Sequence, residues 1–190
     1  TFARQLMATG DYEYVEPDWM CYPTKIPNDP LYSQQWHHPK MNCPGAWDLY
    51  TGNAFQIAAF VDTGIDSDHE DHIGHMLLGY NSADRLPEAN GGQVEDINGH
   101  GTWVAGCIGA TGNNGKGLAG VNWDISLIPV RATNSSSGGA NMADLLDGAL
   151  WAAQNGAKTV SVSYTGVQTS SVGSTGTTMK NMDALLIWAA

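Results

Sequence analysis

Basic residues and long apolar runs are both scarce in this sequence. Its 190 residues contain 8 lysines and arginines against 19 aspartates and glutamates, a formal net charge of −11. Nucleic acids and anionic membrane surfaces attract proteins of the opposite charge, so we expect neither as a partner. No apolar run is long enough to cross a bilayer, and no signal-peptide core precedes the first motifs.

Cysteine is also scarce, with three residues in the chain. Cys21 and Cys43 lie in loop-like stretches that contain proline, and they could form a disulfide in an oxidising compartment. The sequence leaves open whether they pair. Cys107 lies in an apolar run, and we expect it to be a small buried hydrophobic residue.

Apolar stretches alternate with helical patterns along the chain. The patterns predict strands over residues 57 to 62, 126 to 131, 159 to 163 and 184 to 190, and helices from residue 100, over 141 to 154 and over roughly 178 to 184. This alternation predicts an α/β fold with a parallel β-sheet flanked by helices. Because nothing follows the last apolar strand to cover it, we expect exposed sheet surface there and interpret the chain as truncated at its C-terminus.

The first predicted strand ends at an aspartate. Residues 56 to 62 read Gln-Ile-Ala-Ala-Phe-Val-Asp, which is typical of a strand buried on both faces with a carboxylate at its carboxyl end. Sites in open parallel sheets form just beyond such ends, so Asp62 lies where a functional acid is expected. His100 follows in a polar turn between two glycines, and we expect an accessible imidazole at the first turn of a helix.

An aspartate and a histidine in this order suit proton transfer. The carboxylate would fix the imidazole tautomer and stabilise the imidazolium, while a histidine exchanges a proton near neutral pH because its ordinary pKa is about 6.5. The alternative is that Asp62 is a turn residue at a strand end and His100 a histidine that caps a helix. Their joint occurrence favours the catalytic interpretation.

Both motifs resemble those of the subtilases, the subtilisin-type serine peptidases. Residues 61 to 66 (Val-Asp-Thr-Gly-Ile-Asp) resemble the aspartate motif of the family, and residues 98 to 106 (Asn-Gly-His-Gly-Thr-Trp-Val-Ala-Gly) its histidine motif. The acid precedes the histidine, as it does in subtilisin. Trp103 stands where the histidine motif of the family usually has a histidine. The resemblance to the family extends from about residue 26 to the end of the chain.

The resemblance implies a serine endopeptidase that hydrolyses peptide bonds through an Asp-His-Ser triad and an acyl-enzyme. The nucleophile motif Gly-Thr-Ser-Met is absent, so we expect the serine and the oxyanion asparagine beyond Ala190 and no activity from these residues alone. The stretch Gly-Thr-Thr-Met at 176 to 179 precedes the last strand instead of following it, and we interpret its threonines as a helix N-cap. A non-catalytic subtilase-like binding or scaffold protein is the alternative.

Subtilases hold a polypeptide substrate as an added strand between two edge segments. The matching positions are Ser137, Gly138 and Gly139 on one side, and Ser163, Tyr164 and Thr165 on the other. Thr165 replaces a glycine of the family and predicts a narrower pocket rim. The serine- and glycine-rich stretch 135–139 is equally open to interpretation as a flexible loop.

The resemblance further implies two domains. Residues 11 to 19 resemble the final strand of an inhibitory subtilase prodomain, so residues 1–25 are interpreted as the end of a prodomain and its junction, and residues 26–190 as the N-terminal part of the catalytic domain. An ordinary edge strand is the alternative for residues 11 to 19. Cleavage is expected between about Trp19 and Pro27, and the resemblance implies secretion.

A structural calcium site is the remaining implication, and the acidic composition suits it. Asp29, Asp71 and Asn114 match side-chain ligands of the family's site, and the carbonyls of Gly112, Lys116 and Leu118 would complete it. A plain turn with solvated acids is the alternative.

Three histidines at regular spacing, His69, His72 and His75, could bind zinc. No zinc-hydrolase motif accompanies them, so we favour their interpretation as surface histidines.

Overall fold

The computed structural model describes residues 2–20, 24–72, 75–166 and 169–189 of the chain. A six-stranded sheet in the order β3-β2-β4-β1-β5-β6 organises the fold. The strands are β1 (Ile57–Asp62), β2 (Tyr80–Asn81), β3 (Leu86–Pro87), β4 (Ser126–Arg131), β5 (Thr159–Val162) and β6 (Leu185–Trp188). All pairs are parallel except β2 with β3, which confirms the predicted α/β class.

The helices are α1 (Phe2–Met7), α2 (His37–Met41), α3 (Cys43–Trp47), α4 (His100–Gly109), α5 (Met142–Gln154) and α6 (Ser170–Asn181). Helix α4 covers one face of the sheet, and α5 and α6 cover the other. Alternate side chains of the central strands point to opposite faces and are buried on both. One core cluster contains Val61 and Val130 with α5 and α6 residues, and another contains Phe60 and Leu127 with Ala105 of α4. Parallel sheets require such cover on both faces.

The central strands predicted over residues 57 to 62 and 126 to 131 are confirmed with the same first and last residues. Their ends were predictable because each apolar run stops at a charged side chain. A helix is present where one was predicted over roughly 178 to 184, but the predicted limits are wrong, since α6 spans Ser170–Asn181 and its N-cap is Thr169 instead of a threonine of the Gly-Thr-Thr-Met stretch. Serine, threonine and glycine give α6 little apolar periodicity, and packing of Thr175 and Met179 stabilises it instead. Thr178 lies inside the helix, where its hydroxyl donates to the carbonyl of Ser174 at 3.0 Å.

The strand predicted over residues 11 to 19 is also wrong, because these residues form no strand and none of residues 2–20 is buried. A strand needs a neighbour to satisfy its backbone groups, and these residues pair with none of the described strands. Among the described helices, none combines the length and apolar character needed to cross a membrane. The edge strand β6 does expose apolar surface, at Leu185 and Ile187.

The cysteine predictions have different outcomes. Cys107 is exposed and not buried as predicted, because α4 packs through its small residues, including Ala105 and Gly109, and Cys107 lies on the outer side. Cys43 is buried at the start of α3. Cys21 lies outside the described residues, so its pairing with Cys43 stays a prediction.

Candidate active site

The central strand β1 delivers Asp62 to the carboxyl edge of the sheet, and α4 begins there with His100. The Asp62 side chain is fully buried, whereas the His100 side chain is 47% exposed. Nδ1 of His100 donates to Oδ1 of Asp62 at 2.8 Å, and the same oxygen accepts the backbone N–H of Thr63 at 2.8 Å. The two residues therefore meet as the sequence predicts, with the imidazole facing solvent on its other side.

The electrostatics of the pair favour a proton on Nδ1. Burial raises the pKa of the Asp62 carboxyl, although hydrogen bonds from His100 and Thr63 oppose this shift. Within the described residues, His100 is the only basic side chain within ion-pair distance of Asp62. A carboxylate placed in this way orients the ring and leaves Nε2 as the acceptor for an incoming proton.

The turn before α4 is held by a second acid, Asp96. Its Oδ1 accepts the N–H groups of Asn98 at 3.0 Å and Gly99 at 2.9 Å, and its Oδ2 accepts from the amide and hydroxyl of Thr102 at 2.9 and 2.6 Å. Burial alone would raise the pKa of Asp96, but these hydrogen bonds outweigh it and lower the pKa to about 2. Asp96 is therefore a charged anchor for the turn that carries His100.

A cleft of about 210 Å³ opens beside His100. Four of the six predicted substrate-binding residues line it, together with two residues that sequence analysis did not assign: Ser137, Gly138, Ser163 and Tyr164, with Thr63 and Asn98. Gly139 and Thr165 lie outside the lining, and their predicted role stays a prediction. The sequence feature that could have identified Thr63 and Asn98 is their position in the motifs of Asp62 and His100.

Hydrogen bonds fix the serine- and glycine-rich loop of the cleft on several sides. Asn98 Nδ2 donates to the carbonyl of Ser136 at 3.0 Å, and the Tyr164 hydroxyl donates to that of Gly138 at 2.8 Å. Thr133 Oγ1 donates to the carbonyl of Gly139 at 2.6 Å. The Tyr164 bond joins the two predicted walls of the cleft directly.

Burial raises the pKa of the Tyr164 phenol to about 12, and the Asp62 and Asp96 carboxylates act in the same direction. The phenol therefore remains a neutral hydrogen-bond donor at any physiological pH.

The residues matched to a calcium site converge at another place in the fold. Asp29 and Asp71 are both buried. The carboxylate of Asp29 accepts the backbone N–H groups of Asn113 at 2.6 Å and Asn114 at 3.2 Å, and Asp71 accepts from Asn114 Nδ2 at 2.8 Å and from the Leu118 amide at 3.0 Å. Within the described residues, neither carboxylate forms an ion pair with a basic side chain.

The side chains fit a calcium ion, because two buried carboxylates that have no basic partner among the described residues lie beside the side-chain amide of Asn114. Lys116 belongs to the same loop as Asn114, and its amide donates to Asn114 Oδ1 at 2.8 Å. Gly112 precedes it in the same loop, so all three predicted segments come together.

The histidine trio is only partly at the surface. His72 is buried, and burial together with the neighbouring His69 lowers its pKa to about 4. The interpretation of all three as surface histidines is therefore wrong for His72, which packs against α4 beside Gly106. In the described part of the chain, no three histidine, cysteine or carboxylate side chains converge in a way that would hold a metal ion.

Comparison with known proteins gives consistent similarities. The model of the subtilase family matches residues 56–190. The extracellular basic protease of Dichelobacter nodosus is 35% identical over 179 residues, with 78% of this chain and 29% of the relative covered. Thermitase of Thermoactinomyces vulgaris is 38% identical over 141 residues, with 74% of this chain and 48% of the relative covered. The chain thus spans less than half the length of these two relatives.

Among solved structures, a protease of Pseudoalteromonas arctica superposes with a TM-score of 0.72 at 27% identity. The superposition covers 87% of this chain and 59% of that one. The chain thus shares its parallel sheet and flanking helices with a solved structure that is named as a protease.

Proposed function

Because this chain belongs to the subtilase family, we propose that Asp62 and His100 are the acid and the base of a serine endopeptidase. The observation that carries the proposal is the 2.8 Å hydrogen bond from His100 Nδ1 to the buried Asp62 carboxylate. The nucleophile would be a serine from the part of the relatives' length that these 190 residues do not span. These residues alone are expected to show no turnover.

The geometry suits general-base catalysis. With its proton on Nδ1, His100 would accept the serine hydroxyl proton on Nε2 while the serine oxygen attacks the substrate carbonyl. His100 would then give that proton to the leaving amine, and an acyl-enzyme would remain. Water would hydrolyse the acyl-enzyme by the same proton transfer, and Asp62 would stabilise the imidazolium in each step.

The substrate in this proposal is an extended polypeptide. The cleft lies beside His100 between the loop of Gly138 and the end of β5 at Ser163, as β-augmentation between two walls requires. Gly138 has a positive φ of 82°, and without a side chain it lets another backbone approach closely. The Tyr164 bond to its carbonyl would have to coexist with the substrate or yield to it.

The experiment uses the complete gene product with a generic peptide substrate and a fluorophosphonate that labels activated serines. We expect labelling and turnover in the wild type, and a loss of about 10⁴-fold in turnover in His100→Ala and in Asp62→Asn. Asp124→Asn, an exposed residue outside the site, is the matched control and should keep full activity. If the folded wild type shows neither labelling nor turnover, the non-catalytic binding or scaffold function is correct instead.

Secretion and a prodomain are part of the same proposal. The relatives include proteins named as extracellular proteases, and we propose that this protein is also secreted. Residues 1–25 would be the end of the protein's own inhibitory prodomain and its junction. N-terminal sequencing of the mature secreted protein tests this, with a start near Ile26 expected and a start before Trp19 contradicting it.

We also propose a structural calcium ion at the cluster of buried carboxylates. Asp29, Asp71 and Asn114 would hold it with the carbonyls of Gly112, Lys116 and Leu118. When bound, the ion would neutralise the two acids and tie the loop of residues 112–118 to the segments that carry them. It would have no part in the reaction.

A further inference from the structure

A pair of residues outside the catalytic pair connects the two elements that carry it. The Thr63 hydroxyl donates to Asp96 Oδ1 at 2.8 Å and accepts the backbone N–H of Gly101 at 2.9 Å. Thr63 follows Asp62 directly, and Gly101 follows His100 directly. The bond from Gly101 therefore joins the end of β1 to the first turn of α4 at residues next to the catalytic pair, and the bond to Asp96 joins the end of β1 to the turn before α4.

Asp96 extends this connection to the rest of the turn. Its carboxylate accepts five hydrogen bonds, one from Thr63 and four from residues 98 to 102. The Thr102 hydroxyl in turn accepts the backbone N–H of Asp66 at 3.0 Å. The segment after Asp62 is thus bound to the segment around His100 at three points, and the charged acceptor Asp96 strengthens one of these bonds.

We infer that the Thr63 hydroxyl and the Asp96 carboxylate are positioning groups that hold the His100 imidazole at hydrogen-bond distance from Asp62. The inference rests on the proposed function insofar as that distance serves catalysis. The hydrogen bonds of both groups go to other residues of the described chain and not to the imidazole, so both act through the backbone next to it.

A simpler role would be that Asp96 only caps the turn before α4. Its bonds to the amides of Asn98 and Gly99 fit that role, but the bonds of Thr63 do not, because Thr63 belongs to the other element. Thr63 is 2% exposed, and its hydroxyl both donates and accepts, so a methyl group in its place would leave the buried Gly101 amide without a partner. The start of α4 would then be free to move relative to β1.

The test measures the tautomer of His100 in the ¹⁵N-labelled 190-residue chain by long-range ¹H–¹⁵N NMR at a pH where the ring is neutral. The variant is Thr63→Val, which keeps the shape and removes the hydroxyl, and Thr63→Ser restores the hydroxyl. Thr51→Val is the matched control, because the Thr51 hydroxyl makes only a 3.5 Å contact with Asp124, far from the site. His100→Gln assigns the signal among the 6 histidines.

We expect the Nδ1–H form in the wild type, in Thr63→Ser and in Thr51→Val. In Thr63→Val the ratio of Nδ1–H to Nε2–H should fall roughly tenfold, the equivalent of one hydrogen bond. A purely structural role would lower the melting temperature and leave this ratio unchanged, and that result would overturn the inference. If Thr63→Val does not fold, Asp96→Asn gives the same readout with the same expected fall.

A kinetic arm in the complete gene product separates the inference from the proposed function. Thr63→Val should lower kcat about 10- to 100-fold with KM unchanged, and Thr63→Ser should restore it. Absence of turnover in the wild type would refute the proposed function, while the tautomer ratio would still decide whether Thr63 and Asp96 position His100.

Discussion

Helix α4 approaches the end of β1 closely at Gly101, so a substitution of this residue tests directly whether that approach positions His100. A Cβ atom added there would lie 2.1 Å from the carbonyl oxygen of Gly64, 3.0 Å from its nitrogen and 3.2 Å from Cβ of Asp62. The first two neighbours are backbone atoms, which cannot rotate away as a side chain can. Gly101→Ala should therefore push the first turn of α4 away from the end of β1.

The size of the effect follows from these distances. An ordinary contact starts at 3.4 Å, so the two backbones must separate by about 1 Å. The 2.8 Å bond from His100 to Asp62 would lengthen beyond hydrogen-bond range if the helix moved as a unit. Overpacking costs roughly 1–3 kcal/mol and the lost buried hydrogen bonds about 1 kcal/mol more, so we expect a loss of about 3 kcal/mol in the free energy of unfolding.

The assay is urea denaturation of the 190-residue chain, with thermal melting and the His100 tautomer as parallel readouts. A loss of about 3 kcal/mol corresponds to a fall of roughly 9 °C in melting temperature for a chain of this length. Gly173→Ala in α6 is the matched control, because outside its own helix turn no atom of the described residues lies within 4 Å of the Cβ that it adds, and it should stabilise the helix by about 1 kcal/mol. The reasoning is refuted if Gly101→Ala is as stable as the wild type and keeps the Nδ1–H form of His100.

Three further predictions concern charge and hydrogen bonding. Calcium at about 100 times its dissociation constant should stabilise the chain by about 2.7 kcal/mol, measured by melting with and without a chelator. Asp71→Asn should abolish this gain, and an equal gain in that variant would contradict the proposed site. Hydrogen bonds lower the pKa of Asp96 from its ordinary value of 3.8 to about 2, so the contribution of its carboxylate to stability is present above pH 4 and should be lost as the pH falls towards 2. Asp96→Asn should flatten this part of the curve of unfolding free energy against pH, and an unchanged curve would count against the assignment. Tyr164→Phe should lose about 1 kcal/mol with the bond to Gly138, and absorbance titration should show that one phenol with a pKa of about 12 has disappeared.

Local sequence patterns were sufficient to predict the limits of the two central strands and the start of α4. The limits of β1 and β4 follow from apolar runs that end at Asp62 and Arg131, because a strand inside a parallel sheet must be apolar on both faces. The start of α4 at His100 follows from the polar, glycine-flanked turn before it. The expectation that Asp62 and His100 share one site came from the order of their two motifs and from the resemblance of those motifs to the subtilases.

Sequence patterns failed where packing replaces periodicity. Helix α6 consists mainly of small polar residues and is stabilised by Thr175 and Met179. Its sequence therefore has no periodic apolar pattern that would indicate a helix start at Ser170. Cys107 lies in an apolar run, yet small residues of α4 make the contact with the sheet. Residues 11 to 19 have the composition of a strand and no strand partner among the described residues.

The sequence by itself determined the α/β class and the two central strands, because each depends on the period or the end of a single element. It also indicated the two residues of the candidate catalytic pair, through the order of their motifs and the resemblance of those motifs to the subtilases. Only the tertiary structure decided how those elements are joined. The bond between Thr63 and Asp96 spans 33 positions of the chain, and the bond between Tyr164 and Gly138 spans 26. Such contacts depend on the distance and orientation of packed elements, which no local pattern of residues encodes.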